Sequence, residues 1–319
     1  MKNSNMPSIG IALGSGAAKG WAHIGVLKAL GEMGIHPQKI AGCSIGALVG
    51  AAYANDRLDE LEQWVTGFTS WQVLALMDIS WRRGGLISGD KVFDAMELHL
   101  GEWKIEELKK PFIAVSADLN SGQEVWFRSG NVRNAVRASC SIPGIMSPVR
   151  QGKRWLVDGA VVNPIPVSVA RAMGVDIVIA VDLNGYRREK LQVLPVSIKS
   201  ESSTPETLLE EAQQHQQSES MFMDFFAKGK DYIAGLTQKF SSVNRQQPGM
   251  LAVMSQSMDI LEQRHKRARL VGDPPDICIV PKVADIGMME FHRAEEAIEA
   301  GYSAVKRVKH LIEATLGGE

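Results

Sequence analysis

Apolar residues follow two rhythms along this chain. Short, mostly apolar runs occur within Ser8 to Leu13, Lys39 to Ala41, Pro111 to Leu119, Trp155 to Val157 and Asp176 to Leu183. Between them, apolar residues recur three and four positions apart. The runs read as buried strands and the spaced segments as amphipathic helices. Ile24, Leu27, Leu30 and Met33 set a helix over Trp21 to Met33, and Val132, Ala135, Val136 and Ser139 set one over Asn131 to Cys140. Ser88 is placed to cap a helix that starts near Asp90 and fades by Gly101. Gln123 to Phe127 reads as a strand joined to the preceding one by the turn Asn120-Ser121-Gly122. Pro143 ends the loop Ser141 to Gly144 sharply, and Pro164 and Pro166 introduce a short helix over Val167 to Met173. Alternating strands and helices from Ser8 to Leu183 predict a mostly parallel α/β sheet covered on both faces.

Residues 187–220 are rich in Ser, Glu and Gln and read as a polar connector. Met221 to Phe240 carries Phe222, Phe226, Ile233, Leu236 and Phe240 at helical spacing, which suits a docked helix, a lid or a membrane-facing segment. Leu251, Met254, Met258 and Leu261 begin a further helix that ends in the basic run Arg264, Lys266, Arg267 and Arg269. That run reads as a solvated helix end or a patch for anionic headgroups. Asp276 to Val280 reads as one more strand, and Phe291 to Leu316 as one long closing helix stopped by Gly317-Gly318. The aromatic stretch Trp64, Phe68, Trp71, Leu74, Leu76, Met77 and Trp81 reads as core, with an acyl channel or a membrane contact as alternatives. The division expected is a main α/β domain over 8–186, a connector over 187–250, and helices with a strand over 251–319 that complete the first domain.

Composition narrows the function classes. The chain has 319 residues, 45% hydrophobic and 22% charged, with a net charge of -1. Nothing in that balance points to nucleic acid. Cys43, Cys140 and Cys278 are widely spaced in apolar surroundings, which suits reduced, buried thiols and neither a disulfide framework nor a metal site. The N-terminal residues lack the apolar core of a signal peptide, and no uncharged apolar stretch reaches membrane-spanning length. A cytoplasmic location is expected, with peripheral membrane contact left open.

Chemistry concentrates at Gly42-Cys43-Ser44-Ile45-Gly46, a G-x-S-x-G motif between a strand and a small-residue helix pattern. In a nucleophile elbow the serine sits on a strained turn, and its neighbouring glycines admit the close approach of strand and helix. A helix N-cap would explain Ser44 without chemistry. A second strand–turn–helix unit carries Gly14-Ser15-Gly16-Ala17-Ala18-Lys19-Gly20. It is not a dinucleotide fingerprint, because Lys19 stands where the third glycine belongs, and not a P-loop, because Lys19 is followed by glycine and tryptophan. An oxyanion hole needs only free amides beside the elbow, and that reading fits. Asp158 ends the run Trp155 to Val157 and precedes Gly159, either as a turn dipeptide or as a placed carboxylate. His215, His265, His292 and His310 follow in the order a Ser–Asp–His triad would need, with His292 the most credible rival; His23 reads as structural.

Three blocks together resemble the patatin-like phospholipases, in particular their bacterial members of the RssA type. They are Leu13 to Leu27, Ala41 to Gly46, and Arg137 to Gly144 followed by Val157 to Pro166; Gly272 to Asp276 and Phe291 to Ala294 extend the likeness. The resemblance implies a three-layer α/β/α patatin-like fold with a mostly parallel sheet and appended C-terminal helices. It implies a Ser44–Asp158 dyad, with Ser44 as nucleophile and Asp158 as base. The oxyanion loop would be Gly14, Ser15, Gly16 and Ala17, with the amides of Gly16, Ala17 and Ile45 as donors; Gly42, Gly46, Gly159 and Lys19 complete the motifs. Ser15 and Ala17 stand where the family usually has glycine, and Lys19 where it has arginine; the loop amides keep their direction if φ stays negative. No metal or cofactor is needed. The substrate implied is a lipid or acyl ester, cleaved as a phospholipase or lysophospholipase would cleave it. The alternatives are a soluble short-chain carboxylesterase or thioesterase, and a regulatory or scaffold protein that retains the fold.

Overall fold

A computed structural model describes residues 7–76, 85–185 and 250–317. The expected connector, the Met221–Phe240 helix, His215, Met77 and Trp81 lie outside the described residues. In chain order the described elements begin with β1 (Ile9–Leu13), α1 (Ala22–Glu32), β2 (Lys39–Cys43), α2 (Ile45–Ala54), α3 (Leu58–Thr66), α4 (Ser70–Leu76) and β3 (Gly85–Ile87). They continue with α5 (Asp90–Leu100), β4 (Phe112–Asp118), β5 (Glu124–Phe127), α6 (Val132–Ser139), β6 (Gly144–Met146), β7 (Val149–Gln151) and β8 (Arg154–Asp158). Next come α7 (Val167–Ala172), β9 (Ile177–Val181), α8 (Met250–Gly272), β10 (Ile277–Ile279), α9 (Ala294–Arg307) and α10 (Lys309–Thr315). Residues 7–185 and 254–317 pack as one compact unit.

β10, β9, β1, β2 and β4 form a parallel array in that order, and β5, β8 and β7 add to it antiparallel. Alternation along the strands supplies both faces. Ile9, Ile11, Leu13, Ile40, Phe112, Ile179 and Val181 face the larger core cluster, with residues of α1, α2, α3, α5, α6 and α9. Ala12, Ala41, Ile113, Val115, Val178 and Ala180 face a smaller one with α7. This is the expected three-layer arrangement, with a thick layer on one face and a thin one on the other.

The register around β4 positions the site. Val115 pairs with Cys43 of β2 and with Trp126 of β5, while Ser116 pairs with Asp158 of β8 and with Val125 of β5. A strand has two edges, and β5 holds one of them from Ala114 to Ala117, across both junctions. β2 and β8 therefore share the other, aligned end to end and running toward each other. Their C-terminal residues meet at the Val115–Ser116 step.

Four expectations change. The loop after Cys140 contains β6, paired with β3 in a separate two-stranded sheet, and β7 follows it. Runs of three residues are too short to show a period. The single closing helix starts later, at Ala294, and breaks at Val308 into α9 and α10. Cys278 lies exposed on β10 while Cys43 and Cys140 are buried. The aromatic stretch is partly core: Trp64 and Phe68 pack edge to face 5.1 Å apart, whereas Trp71 is exposed.

α1 and α9 cross through reciprocal glycines. A Cβ on Gly25 would lie 1.8 Å from the Ile298 carbonyl oxygen, and one on Gly301 would lie 1.9 Å from that of Ala22. Both obstacles are backbone, so neither can rotate away. Gly301→Ala should lower stability by roughly 1–3 kcal/mol through overpacking, read as a fall in the urea midpoint. An unchanged midpoint would mean that the helices are free to separate.

Candidate active site

Ser44 occupies the turn between β2 and α2 with φ 56° and ψ -126°, a left-handed conformation that a residue with a Cβ rarely adopts. The surroundings hold it there. The Ser44 amide donates to Ser139 Oγ at 2.8 Å, and Ser139 Oγ donates in turn to the Val115 carbonyl at 2.6 Å. A Cβ on Gly46 would sit 2.2 Å from the Leu13 carbonyl oxygen, and one on Gly42 would sit 2.5 Å from Ala47 Cα. Both glycines are thus fixed by close backbone approach.

Asp158 meets Ser44 across the end-to-end strand junction. Ser44 Oγ donates to Asp158 Oδ2 at 2.6 Å, and the Ala160 amide donates to Asp158 Oδ1 at 2.8 Å. Gly159 is more than a turn residue: a Cβ there would lie 2.3 Å from the Val115 carbonyl oxygen. Ser44 and Asp158 are 4% and 2% exposed. Burial pushes the Asp158 carboxyl up to about 7, partly offset by hydrogen bonds from Ser44 and Ala160, with Glu262 adding a smaller upward push. Cys43 Sγ lies 4.0 Å from Asp158 Oδ1, and burial raises both the Cys43 and Cys140 thiols, which keeps them protonated.

The glycine-rich loop divides into anchored and open amides. Gly14 donates to the Val181 carbonyl at 3.3 Å and Ser15 to that of Pro164 at 2.8 Å. The amides of Gly16, Ala17 and Ile45 have no acceptor among the described residues. Of the four loop residues expected to face an anion, the first two therefore have their N–H groups engaged elsewhere. Ala17 also departs from expectation: its φ is +49°, so alanine here carries strain of about 1–2 kcal/mol that glycine would not. Lys19 Nζ reaches Asn184 Oδ1 at 3.0 Å.

No histidine among the described residues is hydrogen-bonded to Ser44 or Asp158. His23 is fully buried with Nε2 2.8 Å from the Gly14 carbonyl oxygen; burial lowers it to about 4, so it stays neutral and donates. It braces the loop from beneath. His265 Nε2 lies 2.6 Å from the Val162 carbonyl oxygen, and His292 and His310 are exposed.

The sequence reading missed Ser139 and the face of α8 that covers this region. Glu262 Oε1 accepts from Ser15 Oγ at 2.7 Å, and Lys266 Nζ donates to both carboxylate oxygens of Asp182 at 2.9 Å. Arg269 donates to Ser168 Oγ at 3.0 Å. The only sequence sign of these contacts was helical spacing in a basic run.

The patatin-like phospholipase profile matches residues 11–171, which contain Ser44, Asp158 and both glycine motifs. The chain belongs to the patatin-like phospholipase family. It is also 32% identical to the NTE family protein Rv1063c of Mycobacterium tuberculosis, over 94% of this chain and 91% of that protein. Against patatin-like phospholipase domain-containing protein 7 of Mus musculus it is 34% identical, over 57% of this chain and 14% of the mouse protein. VipD of Legionella pneumophila superposes with a TM-score of 0.44 at 12% identity, over 97% of this chain and 67% of that one.

The buried carboxyl makes a stability prediction for this patatin-like site. With the folded value near 7 and the unfolded value near 3.8, the folded state holds more protons between those limits. Stability therefore falls as pH rises through that window. Asp158→Asn should raise the melting temperature more at pH 8 than at pH 5, read by thermal unfolding. Equal changes at both pH values would show that Asp158 ionises normally.

Proposed function

We propose that this protein is a serine lipid acyl hydrolase that cleaves carboxylic esters of phospholipids or lysophospholipids through Ser44 and Asp158. The observation that carries the reading is the 2.6 Å hydrogen bond from Ser44 Oγ to Asp158 Oδ2, with the serine on a strained elbow beside open amides. Asp158 accepts the hydroxyl proton as Oγ attacks the ester carbonyl. A carboxylate of ordinary pKa, ~3.9, is a weak base for this step, and burial raises its proton affinity. The amides of Gly16, Ala17 and Ile45 receive the developing oxyanion, each donor contributing about 3 kcal/mol in such sites. The alcohol or lysolipid leaves with the proton from Asp158. Water then attacks the acyl-enzyme with Asp158 again as base, and Ser44 is restored.

The three sequence blocks support a place among the bacterial members of RssA type. The neutral buried thiols of Cys43 and Cys140 suit a reducing compartment such as the cytoplasm.

A fluorophosphonate probe should label the wild type, fail to label Ser44→Ala, and label Asp158→Asn at least ~100-fold more slowly, the range general-base removal costs. An unlabelled wild type would favour a regulatory protein that keeps the fold, and full labelling of Asp158→Asn would remove Asp158 as base. The rate should rise with pH through about 7 as Asp158 loses its proton. Glu262 faces Ser15, Asp259, Lys266 and Asp182, and its charge opposes ionisation of Asp158. Glu262→Gln should therefore move the rising limb to lower pH; an unmoved limb would assign it to another group.

A further inference from the structure

Helix α8 has two faces of opposite character. Glu262, His265, Lys266 and Arg269 point into the unit and bond Ser15, the Val162 carbonyl, Asp182 and Ser168. At 100° per residue the side directly opposite carries Ile260, Arg264, Arg267 and Val271, spaced four, three and four apart. Leu261 stands on its flank. All five are exposed, Leu261 at 65% and Val271 at 84%. Neither Arg264 nor Arg267 has a hydrogen bond or an ion pair among the described residues. The basic run at this helix end thus splits: Lys266 and Arg269 hold the helix down, and Arg264 and Arg267 face outward between apolar side chains.

We propose that this outer face of α8 docks on bilayers of anionic phospholipid. Isolated exposed apolar residues are ordinary, but Ile260 and Val271 lie along one stripe with Leu261 on its flank, with two guanidinium groups among them and no carboxylate at the stripe positions. Arginine stems cover apolar surface while their heads reach phosphate, which suits the boundary between acyl chains and headgroups. A protein partner would favour aromatic anchors at the centre of the patch, and none stands at these positions. The net charge of the whole chain is -1, so attraction to an anionic surface has to come from a local patch of this kind. The inner face of the same helix holds Ser15, next to the open amides of Gly16 and Ala17. Docking through the outer face therefore brings a lipid surface to the helix that covers the oxyanion loop. This use rests on the proposed lipid hydrolase, but the binding itself needs no turnover.

Vesicle co-sedimentation with the full-length Ser44→Ala protein tests it, since this variant separates binding from hydrolysis. Vesicles of equal parts phosphatidylcholine and phosphatidylserine should sediment the protein, and vesicles of phosphatidylcholine alone should sediment far less. Adding Arg264→Gln and Arg267→Gln should weaken the anionic binding about 30-fold, the effect of two surface arginines near such a membrane. Ile260→Ser with Val271→Ser should weaken binding to both compositions, and the far-ultraviolet circular dichroism of each variant verifies folding. Equal sedimentation with both vesicle types, or undiminished binding after loss of both arginines, would overturn the proposal. Loss of docking with intact probe labelling of wild type would leave the hydrolase standing; docking without labelling would leave the surface standing and remove the chemistry.

Discussion

The constraint on which this structure turns is the shared edge of β4. One long strand carries β5 along one side, and β2 and β8 end to end along the other. Two chain segments more than a hundred residues apart are thereby brought to a single point by backbone hydrogen bonding. A register shift of one residue on either strand would turn every side chain to the opposite face. Ser44 and Asp158 would then no longer meet. The flanking devices serve this junction: Gly42, Gly46 and Gly159 allow backbones to touch, and Ser139 ties the elbow to β4 through Val115.

The same closeness sets the electrostatics. A carboxylate held at a strand end between backbone and thiols loses most of its water, and two hydrogen bonds do not fully replace it. The fold accepts a destabilised ionised state at Asp158, whose carboxylate holds a proton more tightly than an exposed aspartate does. Strain at Ser44 and at Ala17 belongs to the same pattern, in which local cost is concentrated where backbone amides and side-chain oxygens are held in fixed directions. The second strained position did not follow from the motif, because alanine in the loop suggested negative φ.

Legibility in the sequence followed the range of the interaction. β1, β2, β4, β5, β8, β9 and even the three-residue β10 were readable, as were the serine turn and the aspartate at a strand end, because glycine spacing and hydrophobic runs are local signals. β3, β6 and β7 were not, since they are set by their partners. The break at Val308 was hidden because an apolar residue continues the helical period on either side of it. Least visible among the contacts at the site was that of Ser15 with Glu262, 247 positions along the chain. Nothing near either residue marks the other.

That contact also explains why α8 reads ambiguously in one dimension. A helix with four basic residues in six positions looks like a single charged surface. Folding sorts it by angle, and the sorting is decided by the loops beneath. The Lys266–Asp182 pair is buried, and removing one partner of such a pair typically costs ~3–5 kcal/mol because the other charge is stranded. This fixes the rotation of the helix about its axis. Once the rotation is fixed, the outward positions of Arg264 and Arg267 follow from geometry alone. The inner ion pair therefore determines which charges meet solvent and whatever surface approaches the covered end of the sheet.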